Sequence, residues 1–213
     1  MNKVLSKVFT WLFVGLMVTF FTGLYVSNNP NMLYNIFSTS AYYLIFIAEI
    51  ILVIFLSARI NKMSFTTAML SFLGYSVLSG LTFSCIFILF EISSILYVLG
   101  LTSIIFIILA IFGYFTKIDL SKLGNFLLIG LLAIILVSFI NIFFLNAIVD
   151  TVVLFVGTLL FLIFIAYDIQ RIKYLANSSL DENKVAIIGA LELYLDFINL
   201  FIRLLQIFGN SKE

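Results

Sequence analysis

Seven stretches of predominantly apolar residues account for most of this chain of 213 residues. Each has about the 20 residues that an α-helix needs to cross a lipid bilayer. Charged residues make up only 10% of the chain, whereas soluble domains carry about 25%. These polar residues are too few to cover the surface of a soluble fold. We therefore predict an all-α, polytopic protein that is surrounded by the lipid bilayer. The predicted spans are residues 8–26, 41–58, 66–90, 95–115, 125–146, 150–170 and 184–208.

The segments between these spans are short and polar, so we expect residues 1–213 to form a single transmembrane domain. Residues 27–31, which hold the only proline, are predicted to be a polar turn. Lys3 and Lys7 precede the first span in the manner of a signal peptide. However, the apolar run is long and no small-residue cleavage site follows it, which favours an uncleaved first helix.

Basic residues are concentrated in alternate loops, a pattern that predicts the orientation of membrane proteins. If the amino end is cytoplasmic, nine of the eleven lysine and arginine residues lie in cytoplasmic segments. The sequence therefore predicts a multi-pass protein of the cell membrane with a cytoplasmic amino end and an external carboxyl end. Arg203 and Lys212 are the exceptions, and they leave open whether the last helix crosses fully or is re-entrant. The nine residues are Lys3, Lys7, Arg59, Lys62, Lys117, Lys122, Arg171, Lys173 and Lys184.

Composition also excludes several classes of function. The net charge of +1 offers no basis for binding nucleic acid. Because the chain has no histidine, a Ser-His-Asp triad and a histidine-bearing zinc site are excluded, and we expect no resident cofactor. Any response to pH must therefore come from carboxylates.

A stripe of polar residues runs along the predicted last helix at spacings of 4, 3, 4 and 3. At the helical period these residues fall within an arc of roughly 80°, so this helix is expected to be central, with its stripe turned away from lipid. The stripe is open to three interpretations: a hydrogen-bonded structural ladder, a solvated pathway or sensor, or the polar face of a surface helix. Its members are Glu192, Asp196, Asn199, Arg203 and Gln206.

Other ionisable residues are predicted near or within the membrane. Glu49 lies in the middle of the second span, Arg59 at its end, and Asp168 near the end of the sixth. Two carboxylates brought together at low dielectric cannot both ionise cheaply, so they titrate as a unit. Such a pair could respond to pH without histidine, and its oxygens are ligands that calcium prefers.

Three runs of residues resemble the bacterial branch of the Bax inhibitor-1 family. The most specific run is Gly189–Phe201 (GALELYLDFINLF), and Ala166–Gln170 (AYDIQ) and Gly113–Ser121 (GYFTKIDLS) support it. The resemblance covers essentially the whole chain in length, number of helices and order of motifs. It implies a seven-helix bundle with the last helix at the centre.

The resemblance also implies a function: a pH-sensitive calcium leak channel or transporter rather than an enzyme. Asp168 and Asp196 match the aspartates that form the sensor and gate, and they would also be the calcium ligands. Arg59 matches an alternative partner of the aspartate on the sixth helix. We assign the pathway or secondary cation sites to Glu49, Glu192, Asn199 and Arg203.

Helix lengths alone do not align the two aspartates. If the sixth helix ends near residue 176 and the seventh begins near residue 180, Asp168 lies about 12 Å from the loop and Asp196 about 24 Å. Tilt, a later start or a break at Gly189 would be needed to bring them level. Two other functions also remain open: a non-transporting partner of other membrane proteins, and an intramembrane aspartyl protease, for which Tyr167-Asp168 is one of two expected motifs.

Overall fold

The structure of the protein, a computed structural model, describes residues 2–38, 41–177 and 181–212. Within these ranges the regular structure is helical, apart from one isolated bridge between Phe90 and Ser211. Short 3₁₀ turns at Ile60–Lys62 and Leu120–Leu123 lie before the helices that begin at Phe65 and Gly124. The helices are α1 (Asn2–Ser27), α2 (Pro30–Phe37), α3 (Ala41–Arg59), α4 (Phe65–Leu89), α5 (Ile92–Phe115), α6 (Gly124–Phe144), α7 (Ala147–Leu175) and α8 (Glu182–Phe208).

Seven of these helices, all except α2, are long and apolar enough to cross a membrane. The chain is thus an all-α polytopic membrane protein, as the hydropathy pattern predicts. Some helices extend beyond the predicted spans, most clearly α1 at its start and α7 at its end. The added turns carry Lys3 and Lys7 or Arg171 and Lys173, because a helix can continue past the apolar segment that hydropathy detects.

The polar segment at residues 27–31 differs from its prediction as a simple turn. It ends α1, but it also begins α2, a helix of 8 residues. The Asn29 side chain accepts a hydrogen bond from the Met32 backbone N–H, and Pro30 occupies the start of the helix. Proline is favoured at that position because its fixed φ suits the helix and its missing N–H would have no partner there.

Helix α8 lies at the centre of the bundle. It contacts α1, α4, α5 and α7, and 72% of its most apolar 18-residue window is buried, against 6% for α3. Tyr194 on α8 is fully buried, and its ring forms T-shaped contacts with the rings of Phe72 and Tyr75 from α4. Its hydroxyl group lies 2.6 Å from the hydroxyl of Thr19 on α1. The predicted central position of the last helix is therefore confirmed.

The last helix also runs the full length of the bundle. At its start, Glu182 pairs with Lys7 near the beginning of α1 (N–O distance 3.3 Å). Beyond its end, Asn210 accepts a hydrogen bond from the Glu91 backbone N–H between α4 and α5. These contacts lie at opposite ends of the bundle, so α8 crosses it and is not re-entrant.

The α5–α7 contact is close because Gly113 lies directly against the backbone of α7. A Cβ atom built at this position would overlap the backbone of Ala166. By contrast, a Cβ atom at Gly100, in the same helix, would have no heavy atom within 4 Å. The absence of a side chain at residue 113 thus lets α5 support α7 two residues away from Asp168.

We expect the Gly113→Ala variant to lose about 1–3 kcal/mol of stability, because the added methyl group must push α5 away from the α7 backbone. Gly100→Ala is the matched control, and it should leave the melting temperature unchanged or raise it, since alanine favours the helix. Thermal unfolding in detergent micelles measures both. Equal melting temperatures for the two variants would contradict this account of the contact.

Candidate functional site: a buried carboxyl pair between α7 and α8

Helices α7 and α8 run antiparallel, and we call the interface between them the seam. Three contacts define how residues pair along it. Arg203 lies against Gly157, Arg171 pairs with Glu192, and the side chain of Ile172 packs against Gly189. In this register the start of α8 extends beyond the end of α7. The extension brings Asp196 level with Asp168 although α8 is continuous through Gly189, so no break in the helix is required.

Asp168 and Asp196 face each other across this seam. Both residues are buried, with exposed fractions of 6% and 4%. Their carboxyl groups lie within hydrogen-bonding distance of each other. An ionised carboxylate only accepts hydrogen bonds, so the two groups can bond only when one of them holds a proton. The structure thus brings together the two aspartates that the sequence analysis singled out.

A third carboxyl group, from Glu192, lies one turn before Asp196 on α8. One of its oxygens accepts a hydrogen bond from the Arg171 guanidinium at 2.6 Å. The other oxygen is buried and, like Asp196 Oδ2, has no hydrogen-bond partner among the described residues. Oxygens of this kind carry the full cost of desolvation unless a proton or cation occupies the site.

Arg171 is the residue of this cluster that was not selected from the sequence. It lies three residues after Asp168, and Glu192 lies four residues before Asp196. On two antiparallel helices, that order places the arginine and glutamate together once the aspartates are paired. The signal is therefore present in the sequence, but it becomes readable only when the register of α7 against α8 is known.

A cavity of about 560 Å³ adjoins the cluster. Arg171 and Glu192 line it from α7 and α8, and Ser57 near the end of α3 and Ile60 in the following 3₁₀ turn also line it. This is the end of the bundle that carries the start of α1. Glu192 therefore has one oxygen bound to Arg171 at the cavity and lies next to the buried aspartates on its other side.

Arg59, the predicted alternative partner of Asp168, is exposed at the end of α3. It forms no hydrogen bond or ion pair with any side chain in the described parts of the chain. The predicted role was that of a basic partner for Asp168, and Arg171 is the basic residue whose charge acts on Asp168. In this conformation, then, the structure does not bring Arg59 into the cluster.

Glu49 belongs to a second polar site, between α3 and α4. Its two carboxylate oxygens accept hydrogen bonds from the hydroxyl groups of Ser79 at 2.6 Å and Thr82 at 2.7 Å. Ser79 also interacts with Tyr194 of α8, the residue that bonds to Thr19. Thus α8 separates two acidic sites, with Glu49 beyond one face and the aspartate pair at another.

The remaining predicted pathway residues continue along α8. The Asn199 side chain donates a hydrogen bond to the Leu195 carbonyl oxygen of its own helix. Arg203 donates instead to the Val153 and Leu154 carbonyl oxygens of α7. Within the described ranges no group of three or more acidic or cysteine side chains has an arrangement suited to holding a metal ion.

A bundle of seven membrane-length helices, one of them central, with a pair of carboxyl groups buried inside it, defines this chain as a polytopic membrane protein with a buried acidic site. The family described as "Inhibitor of apoptosis-promoting Bax1" matches residues 1–213. The chain belongs to this family, the Bax inhibitor-1 family, as its motifs predict.

Individual relatives agree with that membership. The chain is 37% identical over 214 residues to the "Inner membrane protein YbhL" of Escherichia coli strain K12, an alignment that covers 98% of this chain and 92% of the relative. It is 36% identical over 217 residues to an uncharacterized protein of Borreliella burgdorferi, covering 100% and 94%. A membrane protein of Streptococcus pyogenes serotype M1 is 36% identical over 172 residues, covering 80% and 75%.

We expect Arg171→Gln to lower the stability by about 1–2 kcal/mol, a value reduced for the partial exposure of the pair, because it leaves Glu192 without its counter-ion beside two aspartates. Glu192→Gln should cost less, since it removes the buried charge itself. The double variant should be more stable than Arg171→Gln alone. Thermal unfolding of the four proteins in detergent gives the coupling, and additive effects would show that the pair does not act as a unit.

Proposed function

We propose that this protein is a pH-sensitive calcium leak of the cell membrane, gated by the carboxyl pair of Asp168 and Asp196. The observation that carries the proposal is the pairing of these two side chains, from neighbouring helices, inside a bundle that crosses the membrane. An intramembrane carboxyl pair is costly and is typical of ion and proton pathways. Membership of the Bax inhibitor-1 family, which implies a pH-sensitive calcium leak, supports the same proposal.

Protonation controls the seam between α7 and α8 in this mechanism. While one aspartate holds a proton, the hydrogen bond between the pair keeps the two helices together. We call this hydrogen bond the aspartate latch. When the proton is lost, the two carboxylates repel each other at low dielectric and the latch opens. The freed oxygens then offer the hard, negatively charged ligands that calcium prefers. Calcium flux should therefore rise with pH.

The route to the pair begins at the cavity beside Arg171 and Glu192. A cation that enters this cavity meets Glu192, whose buried second oxygen is available for an electrostatic contact. The aspartates lie one turn further into the bundle, and Asn199 follows them on α8. Arg171 balances the negative charge of Glu192 until a cation or proton replaces it. The three carboxyl groups thus lie one after another on a path that leads from the cavity into the membrane.

We also propose that the amino end faces the cytoplasm. Nine of the eleven basic residues belong to the segments at the end of the bundle where α1 and α8 begin. Basic residues in short loops remain on the cytoplasmic side during insertion. The cavity beside Glu192 then opens toward the cytoplasm, and the segment after α8 lies outside.

We expect Asp196→Asn and Asp168→Asn each to flatten the pH dependence of calcium flux, because an amide cannot lose the proton that controls the latch. Both variants should change their flux by less than about twofold where the unsubstituted protein changes by about tenfold or more. Calcium uptake into vesicles that contain the purified protein, measured across the near-neutral pH range, gives the profiles.

Asp150→Asn is the matched control for these variants. Asp150 also lies on α7, but near its start, where it accepts a hydrogen bond from Asn141 at 2.7 Å. This substitution should preserve the pH profile. Unchanged profiles in the two pair variants would remove the proposed sensor, and a purified protein that carries no calcium at any pH would favour a partner protein without transport activity.

Orientation can be tested with single cysteines in a Cys85→Ala background. A cysteine at Ser211 should react in intact cells with a thiol reagent that cannot cross the membrane, because residue 211 follows the last crossing. A cysteine at Lys122, between α5 and α6, should react only after the cells are opened. The reverse pattern would place the amino end outside.

A further inference from the structure

Arg203 is a basic side chain within α8 that has no acidic partner among the residues that the structure describes. The ion pairs in the described part of the chain are Lys7–Glu182 and Arg171–Glu192, and neither involves Arg203. Its guanidinium group donates instead to backbone carbonyl oxygens of α7, at 3.0 Å from Val153 and 3.4 Å from Leu154. It also lies 5.5 Å from the centre of the Phe161 ring.

Gly157 creates the space that this guanidinium group occupies. A Cβ atom at residue 157 would overlap the guanidinium of Arg203. The side chain is thus seated in a notch of α7, where it is half-buried and directed against the neighbouring helix. Because the notch, the two carbonyl oxygens and the aromatic ring all hold it, the position of the charge is well defined.

The notch lies in line with the aspartate pair. Arg203 follows Asp196 by two helical turns, about 10 Å along the same face of α8. Gly157 precedes Asp168 by about three turns on the matching face of α7. A cation that moves along this seam from the aspartates toward the carboxyl end of α8 therefore approaches the guanidinium directly.

Structural contacts alone do not account for a charge at this position. The Leu154 carbonyl oxygen already accepts a hydrogen bond from the Thr158 hydroxyl at 2.7 Å. The carbonyl oxygens of Val153 and Leu154 also lie within a continuous helix, where backbone N–H groups are their partners. A charged side chain within a membrane segment is costly, whereas an apolar one could pack in the same notch.

We infer that Arg203 is an electrostatic barrier to cations at the far end of the α7–α8 seam, held in place by the Gly157 notch. This inference rests on the proposed function, since it concerns the ions that the seam conducts. A fixed positive charge repels a divalent ion twice as strongly as a monovalent one at the same distance. The barrier therefore limits calcium leak when the aspartate latch opens, and it disfavours calcium relative to potassium.

The test compares Arg203→Gln with Arg203→Lys in vesicles, with calcium and potassium fluxes measured on the same preparations. We expect Arg203→Gln to raise calcium flux about tenfold and potassium flux by a smaller factor, because it removes the charge. Arg203→Lys keeps the charge and should leave the ratio of the two fluxes close to that of the unsubstituted protein. Gel filtration and melting temperature establish that each variant is folded.

Lys212→Gln is the matched control. It removes a positive charge at the same end of the bundle but away from the seam, where Lys212 donates to the Phe87 carbonyl oxygen at 2.8 Å, and it should not alter the flux ratio. An equal rise of both fluxes in Arg203→Gln would indicate a loosened helix contact and would overturn the barrier, as would unchanged fluxes.

The two proposals fail in different ways. Calcium flux that Asp196→Asn makes insensitive to pH, combined with no effect of Arg203→Gln, would overturn only the barrier. The absence of flux from the unsubstituted protein and from every variant would overturn the leak itself, and the barrier with it. If instead only Arg203→Gln conducts, the charge closes the seam completely, which supports the barrier.

Discussion

Polar side chains on α8 cannot be exposed to lipid without a large free-energy cost, and this constraint organises the bundle. The helix carries acidic, amide and basic groups among apolar residues, so it is stable in a membrane only when other helices surround it. Contacts with α1, α4, α5 and α7 provide that enclosure. The more apolar helices α3 and α6 lie at the periphery, where their exposed leucine, isoleucine and phenylalanine side chains suit a lipid environment.

Because α8 is enclosed, its seam with α7 carries different polar groups at its two ends. Near the amino end of α1, Arg171 and Glu192 form an ion pair at the edge of a cavity, and the aspartates lie just beyond it. Toward the other end, the seam is occupied by the Arg203 guanidinium. In the proposed function these parts have separate tasks, because the acidic groups attract and release cations while the basic group limits their passage.

Much of the fold could be predicted because it depends on local composition. Length and hydropathy were sufficient for the seven spans, and the polar stripe that includes Glu192, Asp196 and Arg203 favoured a central last helix. The short helix α2 was not predicted, since its eight residues lack the length that makes a membrane span recognisable. Its start was nevertheless visible in Asn29 and Pro30, a typical cap and first residue.

The sequence by itself determined the class of protein, the family and the residues available for an acidic intramembrane site, because each follows from residue type and helical spacing. Only the tertiary structure decided which of them meet: Asp168 with Asp196, Arg171 with Glu192, and Arg203 with the notch at Gly157. These pairings depend on how far α8 is displaced along α7 and how each helix is rotated. Both quantities arise from packing between residues distant in the chain, and the pattern within one helix does not contain them.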